Sequence, residues 1–113
     1  MDVIVAGSRG VSDFSLVARA IQASGFAVSR VVSGCAPGVD RIGERWAALN
    51  GLPVVRCPAN WALHGRSAGM IRNSEMANKA GALVAVWDGH STGTANMIKT
   101  AKAKGLAVFV LKV

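Results

Sequence analysis

The 113-residue chain has the size of one domain, and because 51% of its residues are hydrophobic it can bury a substantial core. Few aromatic residues and no Tyr accompany the many small aliphatic ones, which favours an α/β fold with buried parallel strands over an antiparallel sandwich. The net charge of +7 favours anionic partners, but the basic residues form no run or tail that would indicate a nucleic-acid-binding arm.

Membrane and metal partners are not expected. No apolar stretch approaches the roughly 20 residues that span a bilayer, and the N-terminus lacks the basic segment of a signal peptide, so we expect a cytoplasmic protein. Cys35 and Cys57 lack metal-ligand spacing and form no zinc pattern with the two histidines. We therefore expect reduced thiols, with neither a metal nor a cofactor.

The first half of the chain alternates strands and helices. Asp2 to Ala6 is predicted as a buried strand and is followed by a helix from about Asp13 to Ser24. A second strand, Ala27 to Val32, precedes a helix from about Val39 to Asn50. Helical spacing directs three side chains of this helix inward and three largely outward. The inward residues are Ile42, Trp46 and Leu49, and the outward ones are Arg41, Glu44 and Arg45.

The second half begins with a predicted strand from Leu52 to Arg56, which is followed by a long insert that begins at Cys57. Such inserts at strand ends are more often binding loops than simple connectors. The predicted elements after the insert are a helix from about Ala68 to Ala80, a strand from Ala82 to Trp87, a helix from about Thr92 to Lys104, and a strand from Leu106 to Leu111. Five strands alternating with four helices predict one parallel sheet, whose ligands bind beyond the carboxyl ends of the strands.

Turns rich in glycine and hydroxyl residues converge at that edge. The turn from Ser91 to Thr94 opens a helix, and free N–H groups at a helix N-terminus bind phosphate. Turns of this composition are also ordinary helix starts, so the prediction depends on their convergence. The turn after the first strand is not GxGxxG and no GxxxxGK[ST] is present, which argues against a dinucleotide enzyme or a P-loop NTPase.

Four motifs in order, GSRGVSD, VVSGCAPGVDRIGERWA, PANWALHGRSAGMIRNSEMA and ALVAVWDGHSTGTANMI, resemble the YspA/YpsA-related branch of the SLOG superfamily. The resemblance implies a single Rossmann-like domain over residues 1–113, with strand order 3-2-1-4-5 and a site for nucleotides or nucleotide-derived ligands. Two positions depart from the branch. Gly34-Cys35 replaces the usual Gly-Gly pair, and Asn60 replaces an Asp, which removes a carboxylate.

The superfamily also contains LOG, a phosphoribohydrolase that activates cytokinins. Its stretch MxxRKxEM followed by PGGxGTxEE is similar to MIRNSEM followed by WDGHSTGT here. The similarity places Arg72 on the LOG arginine that acts on the ribose-phosphate, and Gly93-Thr94 on the phosphate-binding pair. The catalytic LOG glutamates fall on Asn96 and Met97, which cannot transfer a proton. Asp88 or Glu75 would substitute for them only with a different geometry.

The candidate ligand-binding residues combine these turns with the family motifs. They are Gly7, Ser8, Arg9, Ser33, Gly34, Gly38, Asp40, Trp61, Arg72, Asn73, Asp88, Gly89, Ser91, Thr92, Gly93 and Thr94. Asp40 is expected either to cap its own helix or to accept from a ribose hydroxyl, and Trp61 either to stack on a base or to pack as a lid. Arg72 and Asp88 are the candidates for catalysis, whereas His64 and His90 are expected to be exposed.

Three functions remain open at this stage. The leading hypothesis is a protein that binds a nucleotide or nucleotide-derived small molecule as a sensor, a sequestering module or a weak processing enzyme. The alternatives are an N-glycosidic hydrolase of LOG type and a single-strand DNA binder similar to DprA, another superfamily member. Any affinity for nucleic acid should be non-specific and salt-dependent. We also expect a homodimer, which sedimentation equilibrium would test.

Overall fold

Strands and helices alternate along the computed structural model, which describes all 113 residues. The strands are β1 (Asp2–Gly7), β2 (Arg30–Ser33), β3 (Val54–Arg56), β4 (Ala82–Trp87) and β5 (Ala107–Lys112). The helices are α1 (Phe14–Ser24), α2 (Val39–Leu49), the short α3 (Trp61–His64), α4 (Ala68–Lys79) and α5 (Thr92–Ala103), with a 3-10 turn at Gly65–Ser67. None of these helices has both the length and the apolar character needed to cross a bilayer.

All five strands form one parallel sheet in the order β3-β2-β1-β4-β5, which confirms the predicted α/β fold and strand order. β1 lies at the centre, where Ala6 pairs with Ala85 of β4. Chain connections leave β1 towards β2 on one side and reach β4 on the other. The carboxyl ends of β1 and β4 therefore frame the crevice in which ligands of such folds bind.

The sheet separates two apolar cores, because successive side chains of a buried strand point to opposite faces. Val3 and Val5 pack with α1 and α2 on one face. Ile4 and Ala6 pack with α4 and α5 on the other. This arrangement explains why β1 and β4 are apolar at nearly every position rather than at alternate ones. Trp46, which was predicted to point inward, packs against one core, and Trp87 packs against the other; both are partly exposed.

Three expectations about local structure were wrong. The second strand begins at Arg30 because Arg30 pairs with Asp2, so residues 27–29 lie beyond the end of β1. Leu49 is 67% exposed, since it is the last residue of α2 and projects past the core. Glu44 does not point outward: its side chain is only 12% exposed and is held by Ser33 and Arg56. A fourth difference is that the insert after β3, which was expected to form a loop, folds into α3 and the 3-10 turn.

The contact between α2 and β1 leaves no room for a side chain at Gly43. A Cβ atom at this position would lie 2.7 Å from Cγ1 of Val5 and 2.8 Å from its Cβ. We predict that Gly43→Ala lowers the free energy of unfolding by about 1–3 kcal/mol, as overpacking of a core does. Gly93→Ala is the matched control in another helix, because nothing lies within 4 Å of its added Cβ. Urea titration checks both, and equal midpoints for the two variants would contradict the prediction.

Candidate functional site

A cleft of about 610 Å³ opens at the carboxyl edge of the sheet, between the turns after β1 and β2 and the first turns of α4 and α5. It brings together ten of the sixteen residues singled out from the sequence. These are Gly7, Arg9, Asp40, Trp61, Arg72, Asn73, Ser91, Thr92, Gly93 and Thr94. The other six, Ser8, Ser33, Gly34, Gly38, Asp88 and Gly89, lie outside the lining.

The N-terminus of α5 forms one wall of the cleft. Ala95 is the first residue of this helix whose N–H bonds backward, to the carbonyl oxygen of Ser91 at 3.1 Å. The N–H groups of Thr92, Gly93 and Thr94 have no acceptor within the protein. Gly93 is exposed and a Cβ atom there would meet nothing within 4 Å. Free donors, the helix dipole and an unobstructed glycine together suit an anion.

Asp88 holds the turn that positions this wall. Its Oδ1 atom accepts the N–H groups of His90 and Ser91, both at 2.8 Å, and its Oδ2 accepts the Ser91 hydroxyl at 3.2 Å. The Ser8 hydroxyl accepts the Asp88 N–H at 3.0 Å and so ties the turn to the end of β1. The N–H groups of Ser91 and His90 lower the pKa of Asp88 to about 2. Its carboxylate therefore stays charged and is occupied within the turn.

Arg72 and Asn73 connect α4 to both neighbouring walls. The Arg72 Nη1 donates to the carbonyl oxygen of Gly34 at 2.6 Å, and its Nε donates to Oδ1 of Asn73 at 3.0 Å. The buried Asn73 amide donates in turn to the Gly93 carbonyl at 3.2 Å and to Oδ1 of Asn96 at 2.9 Å. The guanidinium is thus fixed at the cleft by the backbone of the turn after β2.

A side chain at Gly34 would press on Arg72 and Asp40, on which the turn after β2 closes. A Cβ atom at Gly34 would lie 2.7 Å from Nη1 of Arg72 and 2.8 Å from Oδ2 of Asp40. The next residue, Cys35, has φ 63°, in the left-handed region that glycine adopts without cost. This geometry gives a physical reason for a Gly-Gly pair at these positions and shows that Cys35 occupies a glycine conformation.

Asp40 is the carboxylate in the cleft lining. It is 4% exposed and accepts the Ala36 N–H at 3.3 Å, rather than an N–H of its own helix. Burial raises the pKa of Asp40 to about 6, although the Ala36 N–H and the charge of Arg72 act in the opposite direction. A carboxyl group in this range exchanges a proton near neutral pH.

Two further cations and one aromatic ring border the opening. Arg9 and Arg66 line the cleft with exposed side chains and no carboxylate partner within 4.0 Å. Trp61 lines it as well and is 54% exposed, so its ring is not packed in a core. Three arginines and one carboxyl group leave the cleft positively charged. The arrangement can hold an anionic ligand with a planar group beside Trp61.

Sequence reasoning missed several lining residues, of which Arg66 and Asn96 carry polar side chains. Arg66 lies in the insert that was expected to form a binding loop, so its position in that insert was the feature of the sequence that could have identified it. Asn60 instead lies outside the cleft and caps α3 by accepting the Leu63 N–H at 3.1 Å. His64 and His90 are exposed, as expected. No cluster of His, Cys, Asp or Glu side chains has an arrangement that could hold a metal ion.

The raised pKa of Asp40 makes stability depend on pH. Between its ordinary value of 3.8 and about 6 the folded state binds this proton more tightly than the unfolded state, so the free energy of unfolding falls as the pH rises through this window. In the natural protein the free energy of unfolding should fall by an amount on the order of a few kcal/mol between about pH 4 and pH 6. We predict that Asp40→Asn removes this fall. Thermal unfolding at a series of pH values checks this, and an unchanged profile would show that Asp40 titrates normally.

Comparison with known proteins identifies the family. The family model described as "YspA, cpYpsA-related SLOG family" matches residues 1–64. The chain is also 38% identical, over 86 residues, to the Gene 61 protein of Mycobacterium phage D29, and the match covers 69% of this chain and 67% of the phage protein. No solved structure matches significantly. Because the family model covers more than half of the chain, the protein belongs to the YspA and cpYpsA-related SLOG family.

Proposed function

We propose that the cleft binds a nucleotide or a nucleotide-derived small molecule, in a sensing, sequestering or weak processing role. Membership of the SLOG family suggests a nucleotide-related function. The observation that supports the proposal most directly is that the free N–H groups of Thr92 to Thr94 line the same cleft as Arg72. A phosphate there would accept backbone hydrogen bonds and one charge-assisted bond from a guanidinium.

The rest of such a ligand would extend across the cleft. Asp40 lies on the wall formed by the turn after β2, and its carboxyl oxygen can accept from a ribose hydroxyl. The half-exposed ring of Trp61 offers a surface on which a base can stack. Arg9 and Arg66 can contact a second phosphate or the edge of the sugar. The cleft volume of about 610 Å³ is in the range of small-molecule sites.

We predict that Gly93→Asp abolishes micromolar binding, because a carboxylate beside the phosphate at an effective dielectric near 20 costs several kcal/mol.

Arg72→Ala should weaken binding by about 1.5–3 kcal/mol, the range for a charged hydrogen bond. Calorimetry with nucleoside mono- and diphosphates and ADP-ribose measures both effects. Because Arg72 also bonds the Gly34 carbonyl, its variant is expected to melt at a lower temperature and must be measured well below that point.

Asn78→Asp is the matched control for Gly93→Asp. It adds the same charge on an exposed residue outside the cleft lining, where the side chain still accepts from Lys104. The control should bind like the natural protein. If a ligand is found and Gly93→Asp, Arg72→Ala and the control all bind it equally well, the nucleotide site is elsewhere.

N-glycosidic hydrolysis is a second candidate function, which the environment of Asp40 favours. Asp88 is occupied within its turn, and Glu75 is exposed and outside the lining. Asp40 instead stands in the cleft with a pKa of about 6, the property of a group that protonates a leaving base and then accepts a proton from the attacking water. This role would replace the carboxylates that are absent at Asn96 and Met97.

The hydrolytic role predicts that Asp40→Asn retains ligand binding and loses turnover by at least about 100-fold, the usual contribution of a general acid. Chromatography of the nucleobase released from each bound nucleotide measures turnover, and calorimetry measures binding on the same samples. Asn78→Asp, which lies outside the cleft lining, serves as the folded control for turnover. Release of base at the natural rate by Asp40→Asn would exclude this role, whereas no release by either protein would leave the chain as a binding protein only.

A further inference from the structure

A second depression, which we call the arginine groove, lies between the outer face of α2 and the end of β3. It has a volume of about 600 Å³ and is lined by Cys35, Arg41, Glu44, Arg45, Ala48 and Arg56. It is separate from the cleft but adjoins it along the chain, because Ala36 and Asp40 line the cleft while Cys35 and Arg41 line the groove. Three of its six lining residues are arginines.

The single carboxylate in the groove is already satisfied. Oε1 of Glu44 accepts from Arg56 at 2.6 Å, and Oε2 accepts from the Ser33 hydroxyl at 2.6 Å. Arg41 and Arg45 have no carboxylate within 4.0 Å. Arg45 lies over the ring of Phe14, 5.0 Å from its centroid, which restrains the guanidinium on the surface of the helix. The groove therefore keeps two positive charges with no acidic partner.

The distribution of cations over the whole molecule also favours anion binding in the groove. Six of the eight arginines line either the cleft or the groove, and none of the five lysines does. Arginine differs from lysine in offering a planar set of donors that binds phosphate oxygens two at a time. The separation favours recognition of phosphate in both depressions.

The chemistry of the lining distinguishes the partner of the groove from the ligand of the cleft. No aromatic ring lines the groove, and only Ala48 and Cys35 are not charged. It therefore has no platform for a base, but Arg41 and Arg45, one helical turn apart, and Arg56 on β3 can contact successive phosphates of a chain. The net charge of +7 adds long-range attraction for such a polyanion.

We propose that the arginine groove is a second anion site, which binds the phosphate backbone of nucleic acid without selecting its sequence. Binding of this kind releases counterions, so the affinity should fall steeply with salt. The groove acts independently of the cleft: its occupation needs neither Arg72 nor the N-terminus of α5.

Fluorescence anisotropy with a labelled oligothymidylate of about 20 nucleotides, at about 50 to 200 mM salt, tests the proposal. Each phosphate contact contributes about 0.7 to the slope of log affinity against log salt for a single strand, so Arg41→Gln with Arg45→Gln should reduce the slope by about 1.4. Arg41→Gln alone should reduce the slope by about 0.7 and breaks no ion pair within the protein. An oligonucleotide of mixed sequence should bind with the same slope.

Lys99→Gln with Lys102→Gln is the matched control, because it removes two exposed charges from another helix outside both depressions. An equal loss of slope in this control, or no binding by the natural protein at the lowest salt, would overturn the proposal. The groove variants should bind mononucleotides as the natural protein does. Gly93→Asp should lose mononucleotides and keep the salt slope for the oligonucleotide, so failure of the groove and failure of the cleft give different results.

Discussion

The buried amide of Asn73 is the contact on which the candidate site depends. A buried amide must satisfy its donors and acceptor, and here it does so with Arg72 on one side and with Gly93 and Asn96 on the other. These bonds set the position of α5 relative to α4. Since Arg72 also donates to the Gly34 carbonyl, the three walls of the cleft are linked through two adjacent residues of one helix. Any ligand at the N-terminus of α5 would bind a preorganised surface.

Two aspartates at this edge of the sheet have opposite properties because their surroundings differ. Backbone N–H groups surround the Asp88 carboxylate and lower its pKa to about 2, which suits a permanent structural charge. Burial dominates at Asp40 and raises its pKa to about 6, which suits a group that gains and loses a proton. Proximity to the strand end was the reason to select Asp88 as a candidate for catalysis. Asp88 is occupied by hydrogen bonds within its turn, and Asp40 is buried in the cleft lining, so Asp40 is the better candidate.

Arginine is concentrated in two neighbouring depressions, the cleft and the arginine groove, which differ in their other lining residues. In the cleft, Trp61, Asp40 and free helix N–H groups would contact the base, the sugar and the phosphate of the proposed ligand. In the groove, the arginines lie near Glu44, whose carboxylate already accepts from Ser33 and Arg56, and no aromatic ring lines the groove. The first combination suits a small molecule with several kinds of group, and the second suits a repeating phosphate chain. One chain thus presents two proposed anion sites of different specificity along α2.

The sequence by itself determined the five strands, the four long helices and the edge at which the polar turns meet, because hydrophobic periodicity and glycine positions are local properties. The turn composition also placed Gly93 at that edge, whereas the family resemblance placed Arg72 there. Only the tertiary structure decided that Glu44 turns inward to Ser33, that Asp88 is used within its own turn, and that Arg66 reaches the cleft. These outcomes depend on which residues distant in sequence come within hydrogen-bond distance, and on how far a carboxylate is removed from water, and neither quantity is encoded in local spacing.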